Sequence, residues 1–199
     1  MNPEDAAFVG RALAFSLEKH AGQTRKGRPE VPYASHPLRV AGLVLEHGGD
    51  ATQVAVALLH DVIEDCGVAD AELVARFGPE VARAVRALSD VLEGDTPEQK
   101  APWRERKARF VASLATVDAR ARLVAACDKL DNLSALVTDL ETEGLATLAR
   151  FSGKPRQIRW YYEEVGKALG RDLPERLRAE LDDRLEKLSA LVPEASPEP

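Results

Sequence analysis

Residues 55–65 read Ala55-Val56-Ala57-Leu58-Leu59-His60-Asp61-Val62-Ile63-Glu64-Asp65, an apolar helical run that ends in four polar side chains. A stretch this aliphatic belongs in a core, and isolated charges are costly to bury unless something compensates them. A divalent metal is the most economical partner for such a group. On a continuous helix His60 and Glu64 stand four apart, Asp61 and Glu64 three apart, and Asp61 and Asp65 four apart. Those spacings gather the side chains on neighbouring parts of one surface. The stretch reads as a site at the end of a core helix.

Outward from it, the chain is a series of helices. Asn2-Pro3-Glu4-Asp5 is a helix start, with an N-cap, a first-turn proline and acids that suit the helix dipole. That helix should stop near Gly22. Gln23 to Ser35, with Gly27, Pro29 and Pro32, reads as a loop made basic by Arg25, Lys26 and Arg28, and such a loop ordinarily just sits in solvent. Tyr33-Ala34-Ser35-His36-Pro37 leads into a helix ending at His47-Gly48-Gly49, and Asp50 caps the central one. A short helix from about Asp70 to Phe77 and another from Pro79 follow. Leu92 to Trp103 is irregular and precedes a helix carrying Phe110 and Leu114. Asp118 then caps a segment through Val137 whose apolar run delivers another acid, Asp128, with Asn132 one turn on.

Glu141 to Arg150 reads as a short helix, the segment around Trp160-Tyr161-Tyr162 as a further one, and Leu173 to Leu191 as the last. No repeat and no convincing strand alternation is present. The expectation is an all-α bundle of about eight to ten helices over residues 1–192, with a disordered Pro- and Glu-rich tail over 193–199.

Composition agrees. With 199 residues the chain suits one domain, and its 45% hydrophobic and 30% charged content is ordinary for a soluble protein. The net charge of −6 argues against general nucleic-acid binding, though a local basic patch can serve a small polyphosphate. Cys66 and Cys127 suggest reduced thiols rather than a disulfide scaffold. The start Met1-Asn2-Pro3-Glu4-Asp5 lacks the basic opening of a signal peptide, and no apolar run has membrane-spanning length, so the cytoplasm is expected.

By chemistry alone, His36, His60, Asp61 and Asp128 form an imidazole and carboxylate set suited to Mn²⁺, Fe²⁺ or Zn²⁺. Glu64 and Asp65 are left over to orient or deprotonate water. No nucleophile elbow, P-loop or dinucleotide fingerprint is present.

His36, then His60-Asp61, then Asp128 in a helical chain resembles the HD-domain metal-dependent phosphohydrolases. More narrowly, His20-Ala-Gly-Gln23-Thr-Arg25-Lys26, Pro32-Tyr33-Ala-Ser-His36-Pro37, Leu58-Leu59-His60-Asp61-Val-Ile-Glu64-Asp65 and Asp128-Lys-Leu-Asp-Asn132-Leu resemble the hydrolase domain of Rel/Spo proteins. The resemblance runs from about Ala7 to about Val165 and has the length of a stand-alone small alarmone hydrolase. It implies one Mn²⁺ per chain on His36, His60, Asp61 and Asp128, with Glu64 and Asp65 as catalytic acids. It also implies Arg25 and Lys26 at the purine, Asn132 at the ribose with Tyr33 close by, Lys100 and Arg104 near the phosphates, and Arg156 with Trp160-Tyr161-Tyr162 closing the nucleotide side. Ser89-Asp90-Val91 and Asp131 depart from the family pattern. The chain's four histidines include none after His60, which disfavours the two-metal HD sites.

The function implied is Mn²⁺-dependent removal of the 3′-pyrophosphate of ppGpp or pppGpp, giving GDP or GTP. Two alternatives stay open: the same chemistry on ppApp, NADPH or a nucleoside phosphate, and a non-catalytic helical module that senses a nucleotide. The implied partner is a small nucleotide, with neither nucleic acid nor membrane. Homo-oligomerisation is left open.

Overall fold

The computed structural model describes residues 1–89, 101–170 and 172–193. Helix starts follow the local chemistry. Asn2 and Asp5 exchange side-chain and backbone hydrogen bonds at the head of α1 (Pro3–Lys19), where Pro3 occupies a position whose N–H would have no helical partner. After α2 (Ser35–Glu46), Asp50 and Gln53 make the same reciprocal cap on α3 (Ala51–Leu59). Then come α4 (Val62–Cys66), α5 (Asp70–Phe77), α6 (Pro79–Leu88) and α7 (Trp103–Leu114). Asp118 accepts from the Ala121 N–H at 2.8 Å and caps α8 (Ala119–Glu143), which runs on into a 3₁₀ segment, Gly144–Arg150. The described residues end with α9 (Pro155–Leu169) and α10 (Glu175–Leu191).

Helix α3 is the hub. Every residue from Val54 to Leu59 is buried, because α1, α2, α6 and α8 all pack against it. A helix apolar on all sides is stable only in such a setting. The long α8 crosses beside it and also carries α10, while α9 pairs with α7. One hydrophobic cluster joins these layers, from Ala12 to Val192. The charged C-terminal end of α3 therefore meets the middle of α8 in the interior, and a metal-type site is built there.

The all-α expectation holds, with three corrections. The basic loop is not without regular structure: β1 (Thr24–Arg25) and β2 (Arg28–Pro32) form an antiparallel hairpin, with Arg25 opposite Arg28 and the Tyr33 N–H bonded to the Gln23 carbonyl at 2.9 Å. Gly27 sits in its turn at φ 75°, the left-handed region that glycine enters without strain, and a Cβ there would run into the Arg150 side chain. The helix from Ala51 does not continue through Asp65: it turns at His60-Asp61 and resumes as α4, which Gly67 ends at φ 65°. Finally, α8 runs through Glu143, and the segment after it is 3₁₀ rather than a separate α-helix from Glu141. The tail positions 194–199 and the stretch 90–100, which takes in most of the predicted irregular segment and Asp90-Val91, lie outside the described residues.

Leu177 on α10 is fully buried. Leu177→Ala is expected to destabilise the protein by about 2–5 kcal/mol, the cost of a cavity in a close-packed core. The urea unfolding midpoint checks this, and a loss below about 1 kcal/mol would show that α10 does not close the core.

Candidate metal centre

Three elements converge on the centre. His36 lies in the first turn of α2, His60 and Asp61 in the turn between α3 and α4, and Asp128 on α8. His36 is 1% exposed, His60 3% and Asp128 7%, and one ligand atom from each lies within 4.8 Å of the others. The two Nε2 atoms are 3.2 Å apart. Asp128 Oδ1 is 3.1 Å from His36 Nε2 and 3.5 Å from His60 Nε2. Asp61 Oδ2 stands 3.0 Å from His60 Nε2 and 3.6 Å from His36 Nε2. Ligand bonds of about 2.0–2.2 Å place neighbouring donors on one ion about 3.0–3.6 Å apart, so the separations among His36, His60 and Asp128 suit a single divalent ion, with Asp61 set against both histidines.

The protons make the same point. His60 Nδ1 lies 2.7 Å from the Ala57 carbonyl, which can only accept, so the ring N–H is spent there. His36 Nδ1 lies 2.6 Å from Asp131 Oδ2 and donates to that carboxylate. Both Nε2 atoms then present lone pairs to each other across 3.2 Å. Only a cation or an extra proton between them relieves that repulsion. Burial works against a charged His60, but the Asp61 carboxylate and hydrogen bonds to Asp128 and Asp61 hold its imidazolium well above the usual histidine range. Burial likewise opposes ionisation of the two acids. Nevertheless the His60 charge keeps Asp61, and the Lys129 ammonium keeps Asp128, well below the ordinary carboxylate range.

The two acids of the centre have further partners. Lys129 Nζ binds Asp128 Oδ2 at 2.6 Å, and Asn132 Nδ2 donates to Asp128 Oδ1 at 2.6 Å. The Tyr33 hydroxyl donates to Asp61 Oδ2. Burial and the nearby Asp61 and Asp65 charges drive the Tyr33 pKa far upward, so it remains a donor. Asp65 follows one turn after Asp61, with its N–H on the Asp61 carbonyl at 2.8 Å. Burial and the Asp61 charge raise its pKa above the usual range, against an opposing hydrogen bond from Tyr33. A carboxylate with raised proton affinity beside a metal-type centre can take a proton from water. Glu64, half-buried on the same short helix, stands beside it.

A cavity of about 490 Å³ opens next to the centre, lined by Arg25, Lys26, Tyr33, Asn132, Phe151 and Tyr162 among others. The hairpin aims its basic turn into it. Arg25 donates to Asn132 Oδ1 at 3.1 Å, with its guanidinium 5.9 Å from the Tyr33 ring centre, and His20 stacks on that ring at 4.6 Å. Four of the predicted substrate residues (Arg25, Lys26, Tyr33 and Asn132) thus share one cavity. Arg104 and Arg156 line no part of it: Arg104 packs over the Trp160 ring at 4.7 Å, and Arg156 borders a separate hollow with Arg159, Trp160 and Glu163. Lys100 lies outside the described residues.

Sequence reasoning missed the supports. Lys129 is adjacent to Asp128, but nothing in the sequence assigns its ammonium to that carboxylate. Asp131 stood out only as a departure, and its partner Arg39 is far away in the chain. Both cysteines are free thiols: burial raises the Cys66 pKa and pushes Cys127 up to about 12, which favours the protonated thiol in each.

Comparison with known proteins adds the lineage. A family model described as HD domain matches residues 12–154. The chain is 37% identical over 132 residues to the guanosine-3′,5′-bis(diphosphate) 3′-pyrophosphohydrolase MESH1 of Xenopus tropicalis, covering 65% of this chain and 69% of that protein. It is 33% identical over 130 residues to GTP pyrophosphokinase rsh of Brucella ovis, covering 65% of this chain but only 17% of that much longer protein. A solved structure of a metazoan SpoT orthologue that hydrolyses ppGpp superposes with a TM-score of 0.72 at 29% identity, over 91% of this chain and 95% of that one. A crystal structure of a Listeria monocytogenes EGD-e protein gives a TM-score of 0.64 at 26% identity, over 79% and 98%.

Because a metal must displace the proton that His60 holds so firmly, metal affinity is expected to rise with pH. Below the raised His60 pKa the gain is about tenfold per pH unit, with one proton released per ion bound. Mn²⁺ titrations from pH 6 to pH 9 check this, and a flat profile would contradict the proton assignment.

Proposed function

The chain belongs to the HD-domain family, and on that premise we propose that it is an Mn²⁺-dependent hydrolase removing the 3′-pyrophosphate of ppGpp and pppGpp. The observation that carries this is the buried cluster of His36, His60 and Asp128, with Asp61 against both histidines, beside a basic cavity lined by Arg25, Lys26, Tyr33 and Asn132. Relatives with that named activity support the choice of nucleotide.

In this reading the four ligands hold one Mn²⁺, which supplies Lewis acidity toward a phosphoryl oxygen and makes nearby water more acidic. The protein's own groups do the rest. Arg25 lays its guanidinium plane on the purine, with Lys26 beside it, and Asn132 holds the ribose while keeping Asp128 in place. Glu64 orients the attacking water and Asp65 takes its proton. The water oxygen forms the new bond to the phosphorus next to the 3′ oxygen. The P–O3′ bond breaks, its electron pair stays on O3′, and a proton returned by the acid pair completes GDP or GTP. Burial of the centre keeps bulk water from competing for the ligands.

No helix of the described residues is long and apolar enough to cross a membrane, which suits a small dissolved nucleotide met in the cytoplasm. The test is pyrophosphate release from ppGpp by metal-stripped protein, with and without Mn²⁺. Release should require the ion, and Asp61→Ala should lower it by at least about a hundredfold, the scale of several kcal/mol of lost charge stabilisation. Absence of release with metal bound, or full activity of Asp61→Ala, would overturn the proposal. Turnover of ppApp or NADPH in its place would keep the chemistry and move the substrate.

A further inference from the structure

The two histidines of the centre are oriented by unlike partners. His60 gives its Nδ1 proton to a neutral main-chain carbonyl, that of Ala57, at 2.7 Å. His36 gives its own to the carboxylate of Asp131 at 2.6 Å. Asp131 is 6% exposed and belongs to none of the roles assigned so far. It is in turn held by a two-pronged contact from Arg39: Nε to Oδ1 at 2.5 Å and a terminal nitrogen to Oδ2 at 3.2 Å. Such a fork fixes the plane of the carboxylate as well as its position.

We propose that Asp131, clamped by Arg39, is a positioning residue for the metal centre: it locks the tautomer and ring plane of His36 and strengthens its Nε2 as a donor. A carboxylate behind an imidazole pulls on the ring proton and makes the opposite nitrogen more electron-rich, which a main-chain carbonyl does less strongly. His36 is thus the more strongly donating of the two imidazoles, and Asp131 is the residue through which its bond to the ion is set. Arg39 has nearly half of its side chain exposed and borders two spaces. One is the cavity beside the centre, and the other is a groove of about 620 Å³ between α2, α8 and α10. The clamp therefore reaches from the buried ligand to the surface. The inference rests on the metal reading of the centre but not on the identity of the nucleotide.

The test uses the full chain without nucleotide, so its result is independent of turnover. Mn²⁺ affinity is measured by chelator competition. The His36 Nδ1 proton is followed by NMR in the zinc-loaded protein, where the ion is diamagnetic. Asp131→Asn is expected to weaken Mn²⁺ binding about 10- to 100-fold and to move that proton upfield from its strongly hydrogen-bonded position. Arg39→Gln should shift both in the same direction by less, and the double variant should bind no more weakly than Asp131→Asn alone. A purely structural role for Asp131 would lower the unfolding temperature while leaving the proton signal and the metal affinity of the folded protein in place. Asp131→Asn protein with native affinity and an unmoved resonance would overturn the proposal. If Asp131→Asn does not fold, native values for Arg39→Gln in both measurements would overturn it. A native chain that takes up no divalent ion would remove this inference and the metal reading together.

Discussion

Two imidazole nitrogens face each other across 3.2 Å in the interior, each with its lone pair forward because the opposite ring proton is already spent. Nothing else in the fold is as demanding. The face-to-face lone pairs require a positive charge between them, and Asp61 and Asp128 require one beside them. Around this centre the protein places groups that cannot be exchanged freely. Lys129 balances Asp128, Tyr33 stays protonated against Asp61, and Arg39 balances Asp131. Each is a buried or half-buried polar group whose cost is offset only because its partner is in place.

The architecture follows from delivering those groups. From Val54 to Leu59 helix α3 is apolar on every side and fully buried, and its C-terminal end brings His60 into the core without exposing it. At that end the last carbonyls lack helical partners, and the His60 ring N–H satisfies one of them. The same bond at the end of the helix therefore sets the tautomer of His60. Helix α8 does the complementary task from the other side. One face carries Asp128, Asp131 and Asn132 toward the centre, while Leu130, Leu133 and Leu136 are buried.

Much of this was legible in the sequence. The caps at Asn2, Asp50 and Asp118 announce their helices locally, and the His60-Asp61 pair and Asp128 stand out as charges at the ends of apolar runs. His36 could be tied to them only by the order of motifs, since its partners are distant in the chain. The hairpin was hidden because its strands are short and carry Pro29 and Pro32, which suppress any alternation signal. The break after Leu59 was hidden for another reason: spacing predicts a continuous helix, and only the competing ring-to-carbonyl bond shows why the chain turns. The bond from Arg39 to Asp131 spans 92 residues and has no local trace. Arg104, read as a phosphate residue from approximate position alone, lies with its guanidinium 4.7 Å from the Trp160 ring centre.

The hairpin has a consequence for how such a protein can change. Its turn is pinned at Gly27 against Arg150, and its arms are tied to α8 through the Arg28–Asp139 ion pair and the Arg25–Asn132 hydrogen bond. Through Asn132 and Tyr33 it also reaches two acids of the buried centre, Asp128 and Asp61. The cavity wall and the geometry of the buried cluster therefore share one small scaffold. A change in the hairpin therefore disturbs both at once, whereas Ser134, Ala135 and Thr138 line the same cavity from the α8 wall.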